Sequence, residues 1–315
     1  MRITKIYAEL LLLPIILKMI NTPVLLLVFN RPDYTRRVFE SIRKAKPARL
    51  YIASDGPRNG KEKEEALVLE CRKIAQQVDW NCEVKTLFRN ENLGSGVGVY
   101  ESINWFFEQE EQGIILEDDC LPNQSYFTFS EEMLHRYRDN ERIMLVSGSN
   151  YLLGLINIRE SYYFSQVPAT WGWATWRRAW KHMNFEMKHY NEHRKKFPEV
   201  SKMWQSHWDS INNGSGVKDA WDFQWYYSIY EQNGLCIHPN VNLVENIGFD
   251  AVNATHTFRS PWWYKFLISK ELNLIQHPKE ITVNERADNF VKDRFLHKMP
   301  TFLQRIKLKL KHFKG

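Results

Sequence analysis

Three absences bound this sequence before any motif is read. The first is a cysteine pair at metal or redox spacing. Cys71, Cys82, Cys120 and Cys236 form no CxxC and no zinc spacing, which excludes zinc ribbons and dithiol redox centres and leaves free, buried thiols in a reducing compartment as the reading. The second is an apolar run long enough to cross a bilayer, which takes about 20 residues as a helix. The stretch 8–17 is mostly apolar, but it is short, it follows Arg2 and Lys5, and Pro14 and Lys18 interrupt it. No small-residue cleavage site follows, so a secretory signal is a poor fit. Residues 1–21 are expected to be a peripheral or poorly ordered leader, with Met19 as a rival start. The third is acid at the C-terminus. After Asp293 come Arg294, Lys298, Arg305, Lys307, Lys309, Lys311 and Lys314 without one Asp or Glu. The formal charge of +6 therefore belongs to the tail and the body is near neutral, which argues against a general nucleic-acid-binding face. Internal repeats and low-complexity linkers are also missing.

What is present fits one large α/β domain. The chain has 315 residues, 43% hydrophobic and 25% charged, while aromatics reach 14% with 12 Trp. Such a surplus of rings serves either a generous core or a sugar or base site. Residues 23–29 are a continuous apolar run, as in a buried parallel strand. The pattern predicts a helix over about 34–44, a strand over 49–54, a helix over about 61–78, a strand over 84–88, a helix from the glycine-rich turn to about 108, and a strand over 113–116. Strands are also predicted over 143–147 and 235–238. Residues 171–176 read as an aromatic loop or helix start, and a helix opens near Asp219. This β-α alternation implies a doubly wound, mostly parallel sheet with right-handed crossovers and helices on both faces. Ligands then bind outside the carboxyl ends of the strands. Four groups fall there: Asn30-Arg31, Asp55-Gly56, Asn92 with Gly94, and Glu117-Asp118-Asp119.

The acid triplet carries the most chemistry. Three consecutive acids after a buried strand repel one another unless a cation is shared, and hard divalent ions take oxygen ligands alongside substrate phosphates. A solvated acidic turn is the plainer alternative. Gly94, Gly96 and Gly98 could bring helix N–H groups to a phosphate, or simply make a sharp turn.

The order Asn30-Arg31-Pro32, Ser54-Asp55-Gly56, Asn92-x-Gly94, Glu117-Asp118-Asp119 resembles the GT-A-fold glycosyltransferases. The triplet resembles their Asp-x-Asp motif, and its Glu-Asp-Asp spelling is similar to the N-acetylglucosaminyltransferase type I family. The later segments around Trp171, Trp173 and Trp176, around Asp222, and around His256 resemble bacterial transferases that decorate surface polysaccharide. The resemblance spans about 22–257. It implies that Asn30, Arg31 and Asp55 line the nucleotide pocket, that Asn92 and Gly94 lie beside the donor, and that Glu117 and Asp118 hold ribose or the transferred sugar. Asp119 would ligate Mn²⁺ or Mg²⁺, with His256 as a further ligand or a structural residue. Inverting transfer needs a carboxylate to take the acceptor's proton. Asp222 matches that place, with Asp219 as a nearby rival that could equally cap a helix. Trp171, Trp173 and Trp176 could stack on an acceptor sugar or pack a core corner.

The resulting expectation is a metal-dependent glycosyltransferase of polysaccharide biosynthesis, with a GT-A domain over 22–260 and a helical basic tail over 261–315. It would move sugar from a nucleotide-diphosphate donor to a glycan or lipid-linked acceptor, in the cytoplasm or on the inner membrane face. A nucleotidyltransferase acting on sugar phosphates is the rival enzyme, but it would carry a Gly- and Lys-rich phosphate loop where Asn30-Arg31-Pro32 stands. A non-catalytic carbohydrate-binding, membrane-associated protein is the other rival, and it has no need of the triplet. In the tail, Phe302, Leu303, Ile306, Leu310 and Phe313 share a helical face among cations, while 306–311 also alternates with period two. A helix of this kind would lie on an anionic membrane; a solvated basic tail is the alternative.

Overall fold

The computed structural model describes residues 19–215, 220–249, 261–295, 298 and 301–312. Ten strands lie among them: β1 Val24–Val28, β2 Arg49–Ser54, β3 Glu83–Phe88, β4 Gln112–Glu117, β5 Cys120–Pro122, β6 Ile143–Ser147, β7 Tyr162–Ser165, β8 Trp173–Trp176, β9 Leu235–Pro239 and β10 Val244–Asn246. Eight form one sheet in the order β3-β2-β1-β4-β8-β6-β9-β7, and β10 pairs with β5 as a separate ribbon. From β3 to β4 every pairing is parallel. Strand β8 then runs antiparallel to both β4 and β6, β9 is parallel to β6, and β7 closes the order antiparallel. Six strands thus point one way and two against them. The result is an α/β fold on a large mixed sheet, compatible with the GT-A arrangement that the sequence resembles.

Helices cover both faces because the strands are apolar on both. Val24, Leu26 and Val28 of β1 join one core with Val38, Phe39 and Ile42, which belong to helix α1 (Pro32–Ala45). Leu25 and Leu27 point the other way, into a core with Ile103, Phe106 and Trp225. Alternation along a strand sends neighbouring side chains to opposite faces, so an all-apolar β1 is what a two-sided layer requires. Helix α1 starts with Pro32 in its first turn, where the missing N–H costs nothing, and ends at Lys46 in the left-handed region. Helices α2 (Glu62–Ala75) and α3 (Gly94–Gln109) complete the first three crossovers, close to the predicted spans.

The second half departs from the sequence reading most plainly at residues 173–176. Residues 173–176 form β8, neither loop nor helix start. All four residues are buried. A short run flanked by sheet on both edges needs no polar alternation, so periodicity does not announce it. Helix α4 (Gln124–Arg136) follows β5, and the short helices α5 (Arg177–Trp180) and α6 (Tyr190–His193) precede α7 (Lys202–Asn212). Helix α8 (Asp222–Glu231) begins at Asp222; Asp219 and His256 lie outside the described residues. A third core gathers Trp204, Trp208, Tyr226 and Tyr230 with Ala287, Phe290 and Val291 of helix α9 (Glu285–Phe295). The segment before α9 is tied to β7 by a parallel bridge, Phe164 with Val283. Helix α10 (Phe302–His312) realises the helical reading of the tail. Among the described residues, no helix is long and apolar enough to cross a membrane. The four cysteines are free, and Cys71, Cys120 and Cys236 are buried.

Candidate functional site

Register determines which residues meet at the strand ends. Strands β1 and β4 are neighbours in parallel, with Leu27 opposite Glu117. The residues just past each strand therefore come together: Arg31 from β1, Asp118 and Asp119 from β4. Arg31 Nη1 donates to Asp119 Oδ2 at 3.0 Å, and its other terminal nitrogen donates to Asp118. Asp118 is only 2% exposed and Asp119 9%. Burial alone would lower the Arg31 guanidinium, but the charges of Asp118 and Asp119 outweigh it and raise it. One cation thus bridges two acids, so part of the triplet's repulsion is already neutralised within the fold.

Glu117 is the member that Arg31 does not bond, although the Arg31 charge opposes the upward shift of its carboxyl. Burial first, then the charges of Asp119 and Asp222, push its carboxyl well above the usual range. Asp222 reaches this point from the far half of the chain, as the first residue of α8. That position places a carboxylate at the positive end of the helix, and its Oδ1 accepts from the Phe223 N–H at 3.0 Å. Two further groups feel the same charges. Tyr226, one turn along α8, is pushed well up by burial and by Asp222, with a smaller effect of Glu117; its hydroxyl pairs with Thr170 Oγ1 at 2.8 Å. Burial also raises the Tyr151 hydroxyl, with a contribution from Asp222.

The wall over Asp119 comes from the segment after β10. Ile247 N donates to the Asp119 carbonyl at 2.7 Å. A side chain at Gly248 would meet Asp119 Oδ2 at 2.5 Å or less, so only glycine lets this loop lie against the carboxylate. The next residue, Phe249, sits edge-on to Trp171 with ring centroids 5.4 Å apart, and packs on Tyr264 at 4.3 Å. Tyr151 also meets Trp171, at 5.6 Å. This aromatic wall was not foreseen, because Gly248 and Phe249 stand in no recognisable motif.

The three tryptophans part company. Trp173 is 0% and Trp176 2% exposed. Trp173 stacks on Trp221 at 5.6 Å, and Trp176 Nε1 donates to the Leu134 carbonyl at 3.1 Å. Both are core residues, and neither presents a ring to solvent. Trp171 alone of the three is half-buried, and it meets Phe249 of the loop that lies over Asp119.

The remaining candidates have structural commitments. Asn30 is buried and donates Nδ2 to Glu64 Oε1 at 2.8 Å; the same carboxylate is held by Arg58. Asp55 Oδ2 accepts from the backbone N–H of Leu93 at 2.8 Å and Gly94 at 3.0 Å. Burial raises its carboxyl, and those N–H bonds oppose the rise. Asp55 thus occupies the amides at the start of α3 that a phosphate would need, and Gly94, at φ +80°, serves the turn. Asn92 Nδ2 donates to the Gly56 carbonyl at 2.8 Å, clamping the two loops. The structure unites Arg31, Glu117, Asp118, Asp119 and Asp222, with Trp171 joined to them through Phe249; it places Asn30, Asp55, Asn92 and Gly94 in the scaffold of the neighbouring loops.

Among the described residues, no group of three or more His, Cys, Asp or Glu is disposed to hold a metal by itself. A cation shared with substrate phosphates fits, since Mg²⁺-like ions commonly take only one or two carboxylates and fill their shell from phosphate and water. Glu117 and Asp119 are the carboxylates whose charges face one another there.

Neither a protein-family model nor a curated protein matches the chain. Among solved structures it is similar to HddC from Yersinia pseudotuberculosis, at 11% identity and a TM-score of 0.29, over 50% of this chain and 77% of that one. A likeness this slight carries no functional argument.

Proposed function

We propose that the chain is a glycosyltransferase that takes its sugar from a nucleotide-diphosphate donor with a divalent cation and transfers it with inversion. The observation that carries this reading is the convergence of Glu117, Asp119 and Asp222 from two distant parts of the chain, with Arg31 between the acids. A repulsive cluster of that kind is costly unless it binds something positive.

In this reading Asp119 and Glu117 would hold Mn²⁺ or Mg²⁺ beside the donor, and the cation would supply charge stabilisation to the leaving nucleoside diphosphate. Everything else falls to the chain. Arg31 pairs with Asp118 and Asp119 and fixes the direction of their carboxylates. Asp222, at the start of α8, accepts the acceptor hydroxyl's proton as that oxygen attacks the anomeric carbon and the bond to phosphate breaks. Trp171 offers an apolar ring face to the acceptor sugar, and Phe249 and Tyr151 hold that ring upright. The Gly248 loop lies over Asp119 and keeps bulk water from it.

The test is binding of a panel of nucleoside diphosphates, with Mn²⁺, with Mg²⁺ and with chelator, followed by thermal stabilisation. Stabilisation that appears only with nucleotide and cation together supports the reading. Equal stabilisation in chelator contradicts it. A non-catalytic carbohydrate-binding role would show instead as sugar binding indifferent to chelation.

A further inference from the structure

Helix α10 offers a surface that the acid site does not explain. Its inward anchor is Leu308, 3% exposed, which joins the core of Trp204, Phe290 and Leu155. Lys307 Nζ adds a bond to the Leu155 carbonyl at 3.4 Å. At 100° per residue, Phe302, Leu303, Ile306 and Leu310 fall on the side opposite Leu308. They are exposed accordingly: Phe302 and Leu303 at 76%, Leu310 at 58% and Ile306 at 40%. Four large apolar side chains on one outward helical face are unusual for a surface that meets only water. Their setting is basic, since Arg305 and Lys307 are exposed on the same helix and the chain has no acid after Asp293.

We propose that the outward face of α10 docks the protein on an anionic lipid surface, with Phe302, Leu303, Ile306 and Leu310 inserted among the acyl chains. Charge complementarity selects that occupant. A second copy of this chain would bring the same cations against these cations, whereas anionic headgroups neutralise them. Interfacial helices combine such an apolar arc with Lys and Arg at the headgroup level. The burial of Leu308 determines the orientation, because it pins the helix to the body by one side and leaves the other free to insert. This surface is independent of the reading given to the acid site.

The test is co-sedimentation of the full chain with vesicles containing about one-third anionic lipid, and with neutral vesicles, at low and high salt. The companion variant is Leu303→Ala/Ile306→Ala/Leu310→Ala, which keeps helix-forming residues and touches no buried group. The expected result is salt-sensitive binding of the wild type to anionic vesicles only, weakened about tenfold or more in the triple variant. Undiminished binding by the triple variant overturns the proposal, as does no wild-type binding. So does a wild type that ignores vesicles but forms a dimer that the triple variant loses, since the face then serves a second copy.

Discussion

Arg31 Nη1 lies 3.0 Å from Asp119 Oδ2, and that pair joins the ends of two strands whose sequences are 88 residues apart. It holds two acids of the triplet buried in an ion pair rather than in a solvated turn. Removing the guanidinium should therefore damage the fold first. Arg31→Ala leaves Asp118 buried without its cation, at a cost of about 3–5 kcal/mol. Chemical denaturation measures it, and added Mn²⁺ should restore part of the loss. A variant as stable as the wild type would show that the bridge contributes nothing.

Glu117→Gln should stabilise the ligand-free protein at neutral pH. The folded-state carboxyl titrates above its unfolded value, so the folded state retains a proton that the unfolded state has lost. Stability is then greatest below the unfolded value, about pH 4, and falls as pH rises toward the folded one. The amide removes that fall. Thermal melts from acid to neutral pH should show the variant's advantage growing as pH rises, and nucleotide binding with Mn²⁺ should weaken in it. An advantage that shrinks with rising pH would reverse the sign assigned here.

Asp222→Asn should retain donor binding and lose turnover by about 10²–10⁴-fold, the usual worth of general-base catalysis. The amide is nearly isosteric and cannot take the proton. Steady-state kinetics beside a donor titration separates the two effects. Collapsed donor affinity with normal turnover at saturation would move Asp222 to the donor site.

The tryptophans divide by burial. Trp173→Ala empties a packed site and should cost about 3–5 kcal/mol. Trp171→Ala should cost less in stability and raise the KM for acceptor, with donor affinity unchanged. Equal stability losses and an unchanged acceptor KM would return Trp171 to the core.

Much of this site was legible from residue order. Apolar runs ending in Asn30-Arg31 and Glu117-Asp118-Asp119 gave the strands and the edge where their polar ends meet, and Asp222 was picked out by the resemblance, in a helix expected to open near Asp219. The Arg31 bridge was not read, because it depends on β1 and β4 being neighbours; the crossover order would have shown it. Asn30, Asp55 and Asn92 looked like ligand contacts because polar residues at strand ends serve loops and ligands alike. Trp173 and Trp176 misled for a related reason: an aromatic-rich strand inserted between β4 and β6 has no period-two signature. Leu308 broke the expected apolar stripe of the tail, and its burial explains why: it faces the body while the stripe faces out.

The most direct measurement is release of nucleoside diphosphate from a panel of nucleotide sugars, by the wild type and by Asp119→Ala, each with Mn²⁺ and with chelator. Turnover by the wild type with at least one donor is expected in Mn²⁺ only, with Asp119→Ala folded and inactive. Cation-dependent turnover that is undiminished in Asp119→Ala would contradict the assignment of the acid site.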